Sequence, residues 1–310
     1  MNFESFVKTA SFALSEGSIY ERLRRDPSVE FDPYIFHASL IYDENARQIL
    51  AGVHREYMDV AQKYRLPMLV STDTWRASQE RIDLSKFKGR RVNQDNVQFM
   101  KDLRDEYGNS PQPIFVVGQI GPRGDAYKPE EALSKKEAEV FHRPQLDALA
   151  ESGVDLLFAA TLPALTEAQG IASAMSGLGL PYALSFVIRP EGTLLDGTPF
   201  GEAMDMIDNS VSNPPTGYAV NCVHPKVFAS GMSALDEFHR NRIFSFQANT
   251  ANVRPEELDD SKELITEEPD VLAKLILKAH QSYHTLFMGG CCGTDTRHIE
   301  QLAQKYTMMS

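Results

Sequence analysis

Short apolar stretches alternate with longer amphipathic segments along the whole chain. The apolar stretches are SFALSEG (11–17), PMLVSTDT (67–74), PIFVVGQIG (113–121), VDLLFAAT (154–161), YALSFVI (182–188), GYAVNCV (217–223), RIFSFQAN (242–249) and HTLFMGG (284–290). Near-continuous apolar runs of this length are typical of strands buried on both faces of a parallel sheet. Between them, segment 137–153 places Phe141, Leu146 and Leu149 near helical spacing before a final glycine, which predicts a helix.

Strand and helix repeated to a count of eight predict an α/β fold of the (β/α)8 TIM barrel type. About 50 residues separate the first two strands and include a helix-like stretch from Asp43 to Tyr64, so we expect a long insertion after the first strand. No linker or internal repeat divides residues 1–310, which favours a single domain. A doubly wound open sheet is the alternative if one of the eight stretches is not a strand. The acidic segment 249–270 predicts a loop at the barrel rim.

The charge balance narrows the choice of partners. Lys and Arg number 31 against 43 Asp and Glu, which gives a formal net charge of −12. This charge disfavours nucleic acid and anionic membrane as partners and favours a small neutral or cationic ligand. The first residues do not resemble a secretion signal, and no apolar run reaches the length of about 18 residues that spans a bilayer. We therefore expect a cytoplasmic protein; whether it forms a homo-oligomer stays open.

The three cysteines of the chain are the strongest candidates for chemistry. Cys222 ends the sixth apolar stretch, and Cys291 and Cys292 follow the eighth. The carboxyl ends of barrel strands form the active-site face, so we expect the three thiols to converge there. Gly289, Gly290 and Gly293 are expected to allow backbone angles that turn both neighbouring cysteines to one point. Three thiolates without a fourth protein ligand describe an open, catalytic zinc site. Buried packing thiols and a vicinal disulfide are the alternatives.

Two cysteine-containing motifs resemble a known family. NCVHP and MGGCCGTDTRHI resemble the zinc-dependent homocysteine S-methyltransferases, which include the betaine and S-methylmethionine enzymes. Further similarity lies in VHREYMDVAQKYRLPMLVSTDTWRAS, VVGQIGPRGDAY, ALAESGVDLLFAATLPALTEA and SFQANTANVRPEE. The resemblance implies Zn²⁺ held by Cys222, Cys291 and Cys292. It also implies methyl transfer from a small-molecule sulfonium or quaternary ammonium donor to a zinc-bound thiol, either homocysteine or a related thiol.

Two positions depart from the family pattern. Family members usually carry Asp-Gly after the first strand and Glu-Thr at the end of the fourth, where the two acids hold the amino group of homocysteine. This chain has Glu16-Gly17 and Ala160-Thr161 at these places. The loss of one carboxylate makes other thiols plausible acceptors, unless Glu16 or Asp73 replaces the missing charge.

The remaining site predictions concern the barrel rim. Glu16 is expected to take part in catalysis as well as in substrate binding. The other predicted substrate contacts are Gly17, Asp73, Trp75, Thr161, Asn221 and Asn249. His224 and His298 flank the cysteine motifs but are not expected to be ligands, and GPRGD (121–125) is predicted to be a tight turn.

Two other functions compete with methyl transfer. A barrel that binds a thiol or onium ligand without turnover is the principal alternative. A zinc hydrolase is disfavoured because three thiolates make the metal a poor Lewis acid.

Overall fold

The eight predicted strands form a closed parallel barrel in sequence order. The structure is a computed structural model that describes residues 2–253 and 266–309. The strands are β1 (Ala13–Ser15), β2 (Met68–Ser71), β3 (Ile114–Ile120), β4 (Leu156–Leu162), β5 (Tyr182–Phe186), β6 (Gly217–Val223), β7 (Ile243–Ala248) and β8 (Phe287–Gly290). β1 pairs with β8 through Leu14 and Met288. This pairing closes the sheet, confirms the TIM barrel and excludes the doubly wound alternative.

Helices lie between the strands along the chain. They are α1 (Phe3–Val7), α2 (Tyr20–Leu23), α3 (Glu44–Tyr64), α4 (Gln79–Leu84), α5 (Val92–Glu106), α6 (Lys135–Glu151), α7 (Leu165–Ser176), α8 (Phe200–Asp208), α9 (Pro225–Ser233), α10 (Glu237–Arg240), α11 (Pro269–Tyr283) and α12 (Thr296–Met309). Short 3-10 helices span His37–Tyr42 and Pro129–Glu131. The helix predicted in segment 137–153 is α6, which begins with a capping box of Ser134 and Glu137. Within the described ranges, no helix is long and apolar enough to cross a membrane.

The connection between β1 and β2 contains the predicted insertion. It holds α2, the 3-10 helix at His37–Tyr42 and α3. The Asp43 side chain caps α3 by accepting a hydrogen bond from the Ala46 N–H. The buried face of α3 includes a histidine, His54, among its apolar residues. Of the acidic segment predicted as a rim loop, residues 254–265 lie outside the described part of the chain.

The barrel has an apolar interior that is closed at its amino end. Side chains from the strands fill it, and Phe3 and Phe6 of α1 belong to the same cluster. The Phe3 ring lies 5.3 Å from that of Phe115, and the Phe6 ring lies 6.1 Å from that of Phe287. The carboxyl end of the strands is therefore the end at which a site can open.

Candidate functional site

The three thiols converge at the carboxyl end of the barrel. The Sγ atoms of Cys222, Cys291 and Cys292 all lie within 4.8 Å of one another. Cys222 is buried and the other two cysteines are half-buried, and the Cys222 and Cys292 sulfurs are 3.4 Å apart. Two sulfurs on one tetrahedral zinc are about 3.8 Å apart, since each Zn–S bond is about 2.3 Å long. The sulfur cluster therefore has the size and chemistry that a zinc ion requires.

A strained backbone turns Cys222 toward the other two thiols. Cys222 has a φ of 57°, and the register between β6 and β7 shifts between Asn221 and Val223. Thr161 has a φ of 62°, where the register between β4 and β5 also shifts. Non-glycine residues at positive φ cost about 1–3 kcal/mol each and persist only where their surroundings hold them.

Asn221 links these two strained positions. Its Oδ1 accepts hydrogen bonds from the Thr161 N–H at 2.9 Å and from the Ser185 hydroxyl at 2.6 Å. Its Nδ2 donates to Thr161 Oγ1 at 2.8 Å and lies 4.0 Å from Cys291 Sγ. Asn221, predicted as a substrate contact, holds the strand ends in place through these hydrogen bonds.

The glycines beside the cysteines act differently from the prediction. Among Gly289, Gly290 and Gly293, the backbone has positive φ at Gly293 alone, at 83°. A Cβ on Gly289 would lie 2.6 Å from the Ser15 carbonyl oxygen, and one on Gly290 would lie 2.2 Å from Thr294 Oγ1. Gly289 and Gly290 are therefore required by close packing, and the expectation that all three supply unusual backbone angles is wrong.

Hydrogen bonds favour the thiolate form of Cys222. The thiols of Cys291 and Cys292 hydrogen-bond to its sulfur and lower its pKa, while burial opposes them. The Tyr127 hydroxyl lies 3.1 Å from the same sulfur. Asn249 Nδ2 lies 3.9 Å from it. The surroundings of Cys222 thus stabilise a negative sulfur, whereas hydrogen bonding to Cys222, together with burial, raises the pKa of Cys291 and Cys292.

A cavity of about 160 Å³ opens beside the sulfurs. It is lined by the three cysteines and by the predicted contacts Glu16, Gly17, Asp73, Trp75, Thr161 and Asn221. Asn249 is not among its lining residues. It is 2% exposed, and its Oδ1 accepts a hydrogen bond from the Ala251 N–H. Asn249 therefore sits against Cys222 rather than at the cavity surface.

One wall of the cavity carries two acids joined by a buried histidine. His54 Nδ1 lies 2.6 Å from Glu16 Oε1, and His54 Nε2 lies 3.1 Å from Asp73 Oδ2. Burial lowers the pKa of His54, but the charges of Asp73 and Glu16 and hydrogen bonds to both outweigh it and raise the pKa to about 10. His54 is therefore an imidazolium at neutral pH, flanked by two carboxylates.

Aromatic rings form another part of the cavity. Tyr20, Trp75 and Tyr127 all line it, and the rings of Tyr20 and Trp75 are 6.5 Å apart. The Arg76 guanidinium lies over the Trp75 ring at 4.2 Å and donates to the Pro122 carbonyl oxygen at 2.9 Å. Tyrosine and tryptophan faces attract cations.

The GPRGD segment is a bend in which two of the backbone amides are already paired. The Arg123 N–H donates to Glu167 Oε1 at 2.8 Å, and the Asp125 N–H donates to Glu131 Oε2 at 2.9 Å. Carboxylates thus occupy the positions that an anion would need, which agrees with the predicted turn.

The two histidines near the cysteine motifs have structural partners. His224 Nδ1 accepts the Lys226 N–H at 3.2 Å and so caps α9. His298 Nδ1 lies 2.9 Å from Asp295 Oδ1. In residues 2–253 and 266–309, the only group of His, Cys, Asp and Glu side chains that could hold a metal ion is the three cysteines. Neither histidine belongs to this group.

Sequence reasoning missed His37 and His54. His54 left a detectable signal, since it is a polar residue on the apolar face of a predicted helix. His37 lies in a 3-10 helix of the insertion, and nothing in the local sequence marks it as a cavity residue.

The chain is similar to known proteins in both sequence and structure. The family model described as homocysteine S-methyltransferase matches residues 14–306. The homocysteine S-methyltransferase YbgG of Bacillus subtilis is 28% identical over 234 residues, which cover 71% of this chain and 72% of the relative. Betaine–homocysteine S-methyltransferase 1 of Bos taurus is 23% identical over 316 residues, covering 96% and 73%. The metallated crystal structure of the homocysteine methyltransferase MmuM from Escherichia coli has a TM-score of 0.75 at 18% identity, covering 97% of this chain and 98% of that chain.

Proposed function

Because the chain belongs to the homocysteine S-methyltransferase family, we propose that it transfers a methyl group from a sulfonium or quaternary ammonium donor to a thiol, using zinc held by Cys222, Cys291 and Cys292. The observation that carries this proposal is the convergence of three sulfurs within 4.8 Å beside a cavity. The acceptor is homocysteine or a related thiol, and methylation of homocysteine yields methionine. We further propose that residues 1–310 act as one domain in the cytoplasm.

The donor set of the site fits zinc. Three thiolates satisfy three of the four positions that tetrahedral zinc prefers and leave the fourth for a ligand. When bound, zinc would lower the pKa of an acceptor thiol, so that the acceptor sulfur is a thiolate at neutral pH. The chain itself orients the three sulfurs through the strained turn at Cys222 and the turn after β8.

The aromatic rings suit a cationic donor. Tyr20, Trp75 and Tyr127 line the cavity together with Glu16 and Asp73, and aromatic rings and acidic side chains both attract cations. In the reaction the acceptor sulfur forms a bond to the methyl carbon while the donor's bond to that carbon breaks. The donor takes the electron pair and leaves as a neutral thioether or amine, so its attraction to the rings is lost and product release is favoured.

A matrix of donors and thiols tests the proposal. Zinc-loaded protein is incubated with S-methylmethionine, S-adenosylmethionine, betaine or dimethylsulfoniopropionate against homocysteine and other thiols, and methylated product is measured by mass spectrometry. We expect product from at least one pair and its loss after chelation. Thiol binding without product from any pair would favour the binding-only alternative, and full activity without metal would refute the role of zinc.

Tyr127 is expected to support the metal site. Tyr127→Phe removes the hydroxyl 3.1 Å from Cys222 Sγ, and we expect zinc affinity to fall about 10-fold, because loss of a hydrogen bond to a metal ligand costs about 10–100-fold. Chelator competition measures this change. Tyr107→Phe is the matched control, since its hydroxyl bonds Asp59 at the surface. Equal zinc affinity in both variants would contradict the role of Tyr127.

A further inference from the structure

The carboxylate of Glu16 is fully engaged by the protein. One of its oxygens lies 2.6 Å from His54 Nδ1, and the other accepts a hydrogen bond from the Ser71 N–H at 2.8 Å. Glu16 as a whole is 4% exposed. Both oxygens are therefore turned toward α3 and β2, which limits what Glu16 can offer to a ligand.

Asp73 differs because only one of its oxygens is paired. Oδ2 lies 3.1 Å from His54 Nε2, whereas Oδ1 lies 3.7 Å from His37 Nε2, beyond hydrogen-bonding distance. Asp73 is 2% exposed and lines the cavity. Because Asp73 lines the cavity, a cationic ligand there can pair with the oxygen that lacks a donor in the protein.

His37, which faces Asp73, does not supply the missing charge. Burial lowers the pKa of His37, which outweighs the opposite effect of Asp73, so its imidazole is neutral at pH 7. Its Nδ1 is buried without a hydrogen-bond partner in the described part of the chain. Asp73 Oδ1 therefore meets no cation on this side of the cavity.

Strand β4 contributes no carboxylate to the cavity. Ala160 is 1% exposed and packs in the apolar cluster inside the barrel. Thr161 lines the cavity, but its hydroxyl already accepts a hydrogen bond from Asn221. The family pattern has an acid at position 160, and no residue of β4 replaces it at the cavity.

The charges of the wall leave room for one cation. Two carboxyl groups, those of Glu16 and Asp73, share the single imidazole of His54, so the acids of this cluster outnumber its one base. Asp73 lines the cavity, and its Oδ1 is the carboxylate oxygen of this cluster that has no hydrogen-bond partner among the described residues. A cation gains most by binding there.

We propose that Asp73 holds the α-ammonium group of an amino-acid thiol that accepts the methyl group, in place of a carboxylate at position 160. This inference rests on the proposed function and names the substrate class. The preferred acceptor is then an α-amino-acid thiol whose ammonium pairs with Asp73 Oδ1 while its sulfur lies at the cysteine cluster.

A pair of thiols that differ only in the amino group tests this inference. Binding of L-homocysteine and of 4-mercaptobutanoate to zinc-loaded full-length protein is measured by calorimetry, and kcat/KM is measured with an active donor. We expect the wild type to bind homocysteine about 10–100-fold more tightly, the usual value of a hydrogen bond to a charged group. Asp73→Asn should lose most of this preference while binding of 4-mercaptobutanoate changes by less than about threefold. Asp73→Glu, which keeps a carboxylate, should retain part of it.

Glu21→Gln is the matched control for a general change of charge. Glu21 also lines the cavity but pairs with Arg24 and Arg25, so its loss should affect both thiols equally. If the wild type binds homocysteine and 4-mercaptobutanoate with about equal affinity, the proposal is overturned whether or not the variants fold. An undiminished preference in Asp73→Asn overturns it too. If neither thiol yields product with any donor of the matrix, methyl transfer to these two thiols is refuted instead, and the binding preference then still decides the role of Asp73.

Discussion

Cys222→Ser is expected to lose both zinc and methyl transfer. Removing one of three thiolates leaves two in a site that already keeps one position open, so we expect less than about 0.1 equivalent of zinc after gentle purification. Activity should fall by more than about 100-fold. This exceeds the loss of about 10–100-fold that is usual when a residue hydrogen-bonded to a metal ligand is mutated. Elemental analysis and the product assay measure the two effects. The same result is expected for Cys292→Ser, since the Cys222 and Cys292 sulfurs are 3.4 Å apart.

His224→Asn is the matched control for this loss. His224 lies two residues beyond Cys222, but its ring caps α9 and pairs with Glu267. Asparagine also caps helices well, so the fold should persist. We expect this variant to keep its zinc. If Cys222→Ser retained a full equivalent of zinc, or if His224→Asn lost it, the assignment of the ligands would be wrong.

The strands were readily predicted because burial on both faces leaves a strong sequence signal. Each of the eight apolar stretches overlaps one barrel strand, but the ends are less exact. Segment 11–17 holds β1 only at Ala13–Ser15, and segment 284–290 holds β8 only at Phe287–Gly290, whereas β4 extends to Leu162, one residue beyond segment 154–161. Strand ends depend on pairing with neighbours, such as Leu14 with Met288. Local sequence carries no information about that pairing.

Only part of the cavity could be predicted, because several of its features depend on contacts between residues that are far apart in the sequence. The cysteines could be assigned to one face from their position after strands. The positive φ of Cys222, however, depends on hydrogen bonds that Asn221 makes across the barrel to Thr161. Likewise, Glu16 and Asp73 looked like independent carboxylates in the sequence. Their shared partner His54 reaches them from α3, which only the packed fold places between them.

His54→Leu is expected to destabilise the protein by about 3–5 kcal/mol, the cost of removing one partner from a buried ion pair. The His54 side chain is fully buried between Glu16 and Asp73, so leucine would leave two buried carboxylates without their cation. Denaturant unfolding at pH 7 measures the loss. His142→Leu is the matched control, because His142 is a buried histidine with one acid partner, Glu167. Since Glu167 also accepts the Arg123 N–H, we expect a smaller loss of about 1–3 kcal/mol in the control.

The pH dependence of this difference identifies the charge on His54. The folded pKa of His54 is raised to about 10, above the value of about 6.5 in an unfolded chain. Its stabilising charge is therefore fully present below about pH 6.5 and is lost as pH rises through about 10. Around the imidazole lie Glu16, Asp73 and the neutral His37, with the Phe99 ring 6.3 Å away. The difference in unfolding free energy between wild type and His54→Leu should thus shrink between pH 7 and pH 10. A constant difference over that range would mean that His54 is neutral and acts through packing alone.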